Sequence, residues 1–67
     1  MALFEIEMYN ELVQRAVRNG EPSFYSDEWA ETRYVEISGR DEMDARRRIL
    51  AKYPKDKGFI IKSIQPA

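Results

Sequence analysis

The sequence predicts an α+β fold: a small three-stranded mixed sheet containing a β-α-β unit, with one or two helices packed on one face. Residues 3–9 and 31–38 alternate apolar and polar side chains, which is typical of half-buried strands. Between residues 41 and 53 the apolar side chains recur at helical spacing, and residues 59–65 begin with an apolar run. A helix between two strands favours a parallel pair with a right-handed crossover, which the first strand would join in the antiparallel direction.

The length sets a limit on stability. The chain has 67 residues, which we interpret as one small domain over residues 1–67. A chain of this size buries only about 60% of its unfolded surface. It has no cysteine for a disulfide, and without cysteine or histidine a structural zinc site is not expected. Oligomerisation, or docking onto a larger partner, is therefore the expected source of additional stability.

Charge is distributed unevenly along the chain, although the net charge is only −1. Residues 1–39 contain three arginines and eight acidic residues, whereas residues 40–67 contain eight basic and four acidic residues. One interpretation is a dipolar domain whose two halves lie together in the fold. The other is a basic face for an acidic partner, although nucleic-acid-binding domains usually carry a net basic charge.

Residues 10–18 fit an amphipathic helix, with Asn10 as the N-cap and Gly20 as the stop. The alternative extends the first strand to Val17, because Val13 and Val17 are β-branched. We favour the helix, since its apolar and polar side chains separate more cleanly.

Three aromatic residues lie within and just after an irregular segment, residues 19–27, where Gly20 and Pro22 interrupt any regular element. They are Phe24, Tyr25 and Trp29, and the last lies in a single predicted helical turn. The structural interpretation is that they close one end of the core, as aromatic residues do in small proteins. The functional interpretation is a contact patch for another protein, since Trp and Tyr recur as interface anchors.

The second helix is bounded by clear signals. Asp41 is placed to cap its N-terminus, and Pro54 requires it to end near Tyr53. A charged turn over residues 54–58 leads into the last strand. Because that strand is apolar on both faces at its start, it is expected to be an inner or covered strand.

Arginines 46–48 form the most conspicuous charged run. On a helix Arg47 and Arg48 point outward and can pair with Asp44, which predicts a solvated, ion-paired face. The alternative is a basic strip for RNA or an acidic protein, formed by Arg48, Lys52, Lys55 and Lys57.

Arg46 points toward the apolar side of the same helix. Three arrangements are possible. Its stem can lie along the sheet with the head group in solvent, it can be buried and paired with Glu36 or Glu42, or this side of the helix is itself an interface.

No pattern of residues predicts catalysis. Histidine and cysteine are absent, the carboxylates at 41, 42 and 44 suit helix capping, and no glycine-rich phosphate loop is present. We therefore expect no catalytic, cofactor-binding or metal-binding residue, no cofactor, and no enzyme activity.

The function expected from the sequence is a non-catalytic protein-interaction module: a small accessory or structural subunit of a larger assembly, or a homodimer. Small nucleic-acid-binding proteins that use a basic strip on the second helix and the following turn are the alternative class. With no signal peptide and no membrane-spanning segment expected, the predicted location is cytoplasmic. The predicted partner-binding residues are Phe24, Tyr25, Trp29, Arg47, Arg48 and Lys52.

Overall fold

The computed structural model describes residues 1–67 and confirms a small α+β fold with three strands and two α-helices. The helical interpretation of residues 10–18 is also confirmed. Single 3-10 turns precede β2 and β3. The elements are β1 (Ala2–Asn10), α1 (Glu11–Asn19), a 3-10 turn (Asp27–Ala30), β2 (Arg33–Gly39), α2 (Glu42–Lys52), a second 3-10 turn (Lys55–Lys57) and β3 (Phe59–Pro66).

The order of the strands differs from the prediction. The sheet order is β2-β1-β3, and β1 pairs antiparallel with both neighbours. The predicted mixed sheet with adjacent parallel strands is therefore wrong, because β2 and β3 run in the same direction but are separated by β1. The unit is a split β-α-β, in which α2 crosses over the central strand.

The central position of β1 follows from how its side chains pack. Phe4, Ile6 and Met8 all face the same side and are buried, and the last two have no exposed surface. Placing this strand in the middle buries its apolar side beneath α2 and pairs its backbone along both edges. Adjacent pairing of β2 and β3 would have left the most apolar strand at an edge.

The core lies between this face of the sheet and α2. Ile49 of α2 packs against Ile6, Met8 and Phe59, with partly buried side chains around them. At Gly39 a β-carbon would lie only 2.9 Å from the backbone nitrogen of Ala45, so the glycine allows α2 to approach β2 closely. The opposite face of the sheet has no helix over it.

The predicted helix boundaries are confirmed. The Asn10 side chain accepts hydrogen bonds from the backbone N–H groups of Leu12 and Val13, at 2.9 and 3.0 Å. Gly20 ends α1 in the left-handed conformation, with φ at 68°. The Asp41 carboxylate caps α2 through the N–H of Asp44, at 2.8 Å.

The sequence predicts that β3 is an inner or covered strand. β3 is an edge strand, so the inner position is wrong, although the side that carries Phe59 is covered by the core. It pairs with β1 only, and no other strand lies along its outer side. Its apolar run is divided between the faces: Phe59 is buried in the core, whereas Ile60 pairs with Tyr9 on the uncovered face.

Candidate interaction surface

Phe24 is the most exposed large apolar side chain of the chain, at 94% of its full surface. Its ring makes one edge-to-face contact, with Tyr25, at a centroid distance of 5.2 Å. The loop that carries it is held in place. The N–H of Glu21 donates to the carbonyl of Ala16 at 2.8 Å, and the Ser23 hydroxyl donates to the carbonyl of Tyr25. The fold thus presents this ring to solvent on an anchored loop, at a cost of about 1.5–3 kcal/mol relative to burying it.

A groove of about 560 Å³ lies beside this ring. We call it the Phe24 groove. Its walls come from α1, from the loop before Asp27–Ala30, and from the turn at Lys55–Lys57. It is lined by Asn10, Leu12, Val13, Ala16, Pro22, Ser23, Phe24, Tyr25, Asp56 and Lys57.

The apolar side of α1 explains the character of the groove. Val13 is buried, but Leu12 remains 46% exposed where the helix faces the groove. Polar groups lie at its margin, where Asp56 and Lys57 are exposed. An apolar floor with a polar rim is the usual layout of a protein-binding surface.

The three predicted aromatic residues do not form one patch. Tyr25 and Trp29 are half-buried and pack edge-to-face on Phe59, with centroid distances of 4.8 and 5.1 Å. The Trp29 ring also contacts Tyr53, at 5.0 Å, and carries the Arg33 guanidinium 5.1 Å from its centroid. Tyr25 and Trp29 therefore close one end of the core, and only Phe24 points fully into solvent.

The basic residues of α2 divide into paired and unpaired groups. Asp44 is nearly buried, and its carboxylate lies 3.1 Å from the Nε of Arg48 and 3.8 Å from that of Arg40. The Arg40 backbone N–H, followed by the charges of Arg48 and Arg40, holds the pKa of the Asp44 carboxyl below its ordinary value. Arg47 and Lys52 are exposed and form no ion pair, so Asp44 pairs with only one of the two predicted arginines.

Arg46 reaches solvent. It is exposed and forms no ion pair with Glu36 or Glu42, which excludes the buried, paired arrangement. Its side chain lines a small groove together with Leu50, Ile60 and Ile61.

Three acidic residues of the N-terminal half lie on the face of the sheet opposite to α2. The uncovered face of the sheet carries Glu5, Glu7 and Glu36, and Glu5 lies directly opposite Glu36 in the ladder. The Tyr34 hydroxyl donates to Glu7 at 3.2 Å. This bond, and then the charge of Glu7, raises the pKa of the Tyr34 phenol above 10.0. The exposed arginines and lysines of α2 lie on the other side of the sheet.

No three His, Cys, Asp or Glu side chains are grouped so that they could hold a metal ion. No helix combines the length and apolar character needed to cross a membrane. No protein-family model, no curated protein and no solved structure matches the chain.

Proposed function

We propose that this chain is a non-catalytic protein-interaction module, a small accessory or structural subunit that docks on a larger protein through the Phe24 groove. One observation carries the proposal: an anchored phenylalanine, 94% exposed, stands beside an apolar groove of about 560 Å³. A partner that covers the ring and inserts an apolar side chain between Leu12 and Pro22 would bury surface that the isolated chain leaves in water.

The size of the chain supports this proposal. A domain of 67 residues without disulfides has a small core, and burial against a partner adds to its stability. The composition agrees, because the chain lacks histidine and cysteine, the side chains that most often act as general base or nucleophile.

The test is an affinity capture from native extract with three forms of the chain: the wild type, Phe24→Ala and Met43→Ala. Met43 is a matched control, since it is also a large apolar side chain, 72% exposed, but lies on α2 away from the groove. We expect a partner that the wild type and Met43→Ala bind and Phe24→Ala does not. The captured protein is then purified and titrated against each form by calorimetry.

Self-association is measured separately, by light scattering over a concentration series. A dimer that Phe24→Ala dissociates would identify a second copy as the occupant of the groove. A chain that stays monomeric and binds the same proteins after Phe24→Ala would contradict the proposal.

The unpaired cations favour a second candidate, a nucleic-acid-binding protein. Exposed basic side chains without an ion pair extend from α2 into the following turn, namely Arg47, Lys52, Lys55 and Lys57. Binding of mixed RNA and DNA at about 50 mM salt, which weakens steeply as salt is added, would support it. Phe24→Ala leaves such binding unchanged, whereas Arg47→Ala with Lys52→Ala reduces it, so the two candidates are separable.

A further inference from the structure

β3 has the composition of an inner strand but the position of an edge strand. Phe59, Ile60 and Ile61 place apolar side chains on both faces of the sheet, yet only β1 pairs with this strand. An edge strand exposes a row of unpaired N–H and C=O groups along its outer side. At β3 that row lies beside apolar side chains, so both requirements for accepting another strand are present.

The other edge of the sheet is different. β2 alternates regularly, with Val35 and Ile37 toward the core and Tyr34, Glu36 and Ser38 toward solvent. This is the pattern of a strand that has solvent on one face. The outer edge of β2 is also unpaired, but polar side chains alternate along it. The apolar edge is therefore a property of β3 alone.

A groove of about 210 Å³ runs along the outer side of β3, beneath α2. Leu50, Phe59, Ile60 and Ile61 supply its apolar lining, and Arg46 and Lys55 supply its charged groups. Neither cation forms an ion pair, and no acidic residue lines the groove or lies in β3. An added strand would place alternate side chains in this groove, under the two cations.

The same cations disfavour a second copy of the chain. A two-fold pairing of β3 with itself presents the same surface from both sides, and neither β3 nor this groove contains an acidic residue that could pair with Arg46 or Lys55 of the other copy. Lys62, the unpaired residue of the bulge between Ile61 and Ser63, does not add to this effect, because its Nζ donates to the hydroxyl of Thr32, beside β2.

We propose that the outer edge of β3 binds an extended, carboxylate-bearing segment of a partner protein as a fourth strand of the sheet. Main-chain hydrogen bonds to β3 supply affinity, and Arg46 and Lys55 select acidic side chains on the added strand. The inference deepens the proposed interaction function, on which it rests. It concerns a separate surface, since no residue lining this groove also lines the Phe24 groove.

The test uses two short acetylated peptides, one alternating Val and Glu and the other alternating Val and Lys, titrated into the full chain and followed by NMR. The Val-Glu peptide is expected to shift the β3 resonances and to slow hydrogen exchange at β3 amides that exchange rapidly in the free chain. The Val-Lys peptide is expected to bind at least about tenfold more weakly.

Two charge-reversal variants are compared, one inside the β3 groove and one outside it. Arg46→Glu with Lys55→Glu should reverse the preference between the two peptides. Arg47→Glu with Lys52→Glu changes the net charge equally but on the outward side of α2, and should leave the preference intact. Phe24→Ala should also leave it intact, so that a failure of the Phe24 groove and a failure of the β3 edge are distinguished.

Four outcomes would overturn the proposal. Equal binding of the two peptides would remove the charge selectivity, and binding without protection of β3 amides would remove the strand addition. If, without peptide, the β3 amides became more protected from hydrogen exchange as the concentration of the chain increased, that result would show that a second copy occupies the edge. A single-stranded oligonucleotide that displaces the Val-Glu peptide without protecting β3 would show that the cations serve nucleic acid instead.

Discussion

The side-chain amide of Asn10 donates a hydrogen bond of 3.0 Å to the backbone carbonyl of Lys57, which lies 47 residues further along the chain. The oxygen of the same amide caps α1. One fully buried side chain therefore joins the start of α1 to the turn before β3, and both segments form walls of the Phe24 groove.

Replacing Asn10 with alanine is expected to lower the free energy of unfolding by about 2–4 kcal/mol. The lost helix cap accounts for about 1 kcal/mol, and the unpartnered Lys57 carbonyl for about 1–3 kcal/mol. Urea denaturation measures the change. Ser26→Ala is the control, because that serine caps only an exposed 3-10 turn through a bond of 3.4 Å, and it should cost about 0.5 kcal/mol or less. Equal effects of the two substitutions would show that the bridge to Lys57 adds nothing.

Gly58 should be far less tolerant of alanine than Gly20. Both have positive φ, at 98° and 68°, which costs a non-glycine residue about 1–2 kcal/mol. At Gly58 the new β-carbon would also lie 2.5 Å from Oδ1 of Asn10 and 2.8 Å from Cγ of Leu12, whereas at Gly20 no atom lies within 4 Å. We expect Gly58→Ala to exceed Gly20→Ala by about 1–3 kcal/mol in thermal or urea unfolding. The same cost at both positions would mean that Asn10 moves aside freely.

The local features of the fold were predictable, because short stretches of sequence determine them. Asn10, Gly20 and Asp41 act at the helix ends where capping chemistry places them. The strand order was not predictable in this way. It depends on pairings between distant residues. The consecutive strands β1 and β2 do pair, as Phe4 with Ile37, but the neighbour rule failed for β2 and β3, because β3 pairs with β1 instead.

The candidate site was predictable only in part. The sequence identifies the aromatic group, but the loop conformation decides that Phe24 faces solvent while the adjacent Tyr25 packs on Phe59. The groove itself has no local signal, since its walls meet only when Asn10 brings α1 to Lys57. The exposed position of Arg46 likewise depends on which strand lies beneath it.

Ionisation of Asp44 should make the free energy of unfolding depend on pH in the acidic range. Its folded-state pKa is lowered, so its contribution is fully present above the unfolded pKa, near 3.8, and is lost as the pH falls through the lowered folded value. The difference in free energy of unfolding between the wild type and Asp44→Asn is therefore expected to be constant at neutral pH and to disappear in strong acid. Chemical denaturation across this pH range measures it, with Glu42→Gln as the control, because that carboxylate on the same helix forms no ion pair. A difference that is independent of pH would contradict the assignment.

The pKa of the Tyr34 phenol depends on the carboxylates of the uncovered sheet face. Its phenol pKa is raised mainly by the hydrogen bond to Glu7, then by the Glu7 charge, and to a smaller extent by Glu5. Glu7→Gln should therefore lower the Tyr34 pKa more than Glu5→Gln does. Ultraviolet titration of the phenolate measures this, with the Tyr34→Phe spectrum subtracted to remove the other three tyrosines. Because the folded-state pKa is raised, the stabilisation is present below pH 10.0 and lost as the pH rises through the raised value. Equal shifts in the two variants would show that the hydrogen bond is not the main cause.

Trp29→Ala should lower the free energy of unfolding far more than Phe24→Ala does. Trp29 packs on Phe59 and Tyr53, so Trp29→Ala removes contacts at the closed end of the core and is expected to cost about 3 kcal/mol. Phe24 has almost no contacts to lose, and Phe24→Ala should change the free energy of unfolding by less than about 0.5 kcal/mol. Urea denaturation of both variants gives the comparison. The Phe24 result matters most for the proposed function, because a variant that unfolds like the wild type but no longer binds the partner locates the defect in the contact surface. If Phe24→Ala were as destabilising as Trp29→Ala, the ring would belong to the core and could not serve as the exposed anchor.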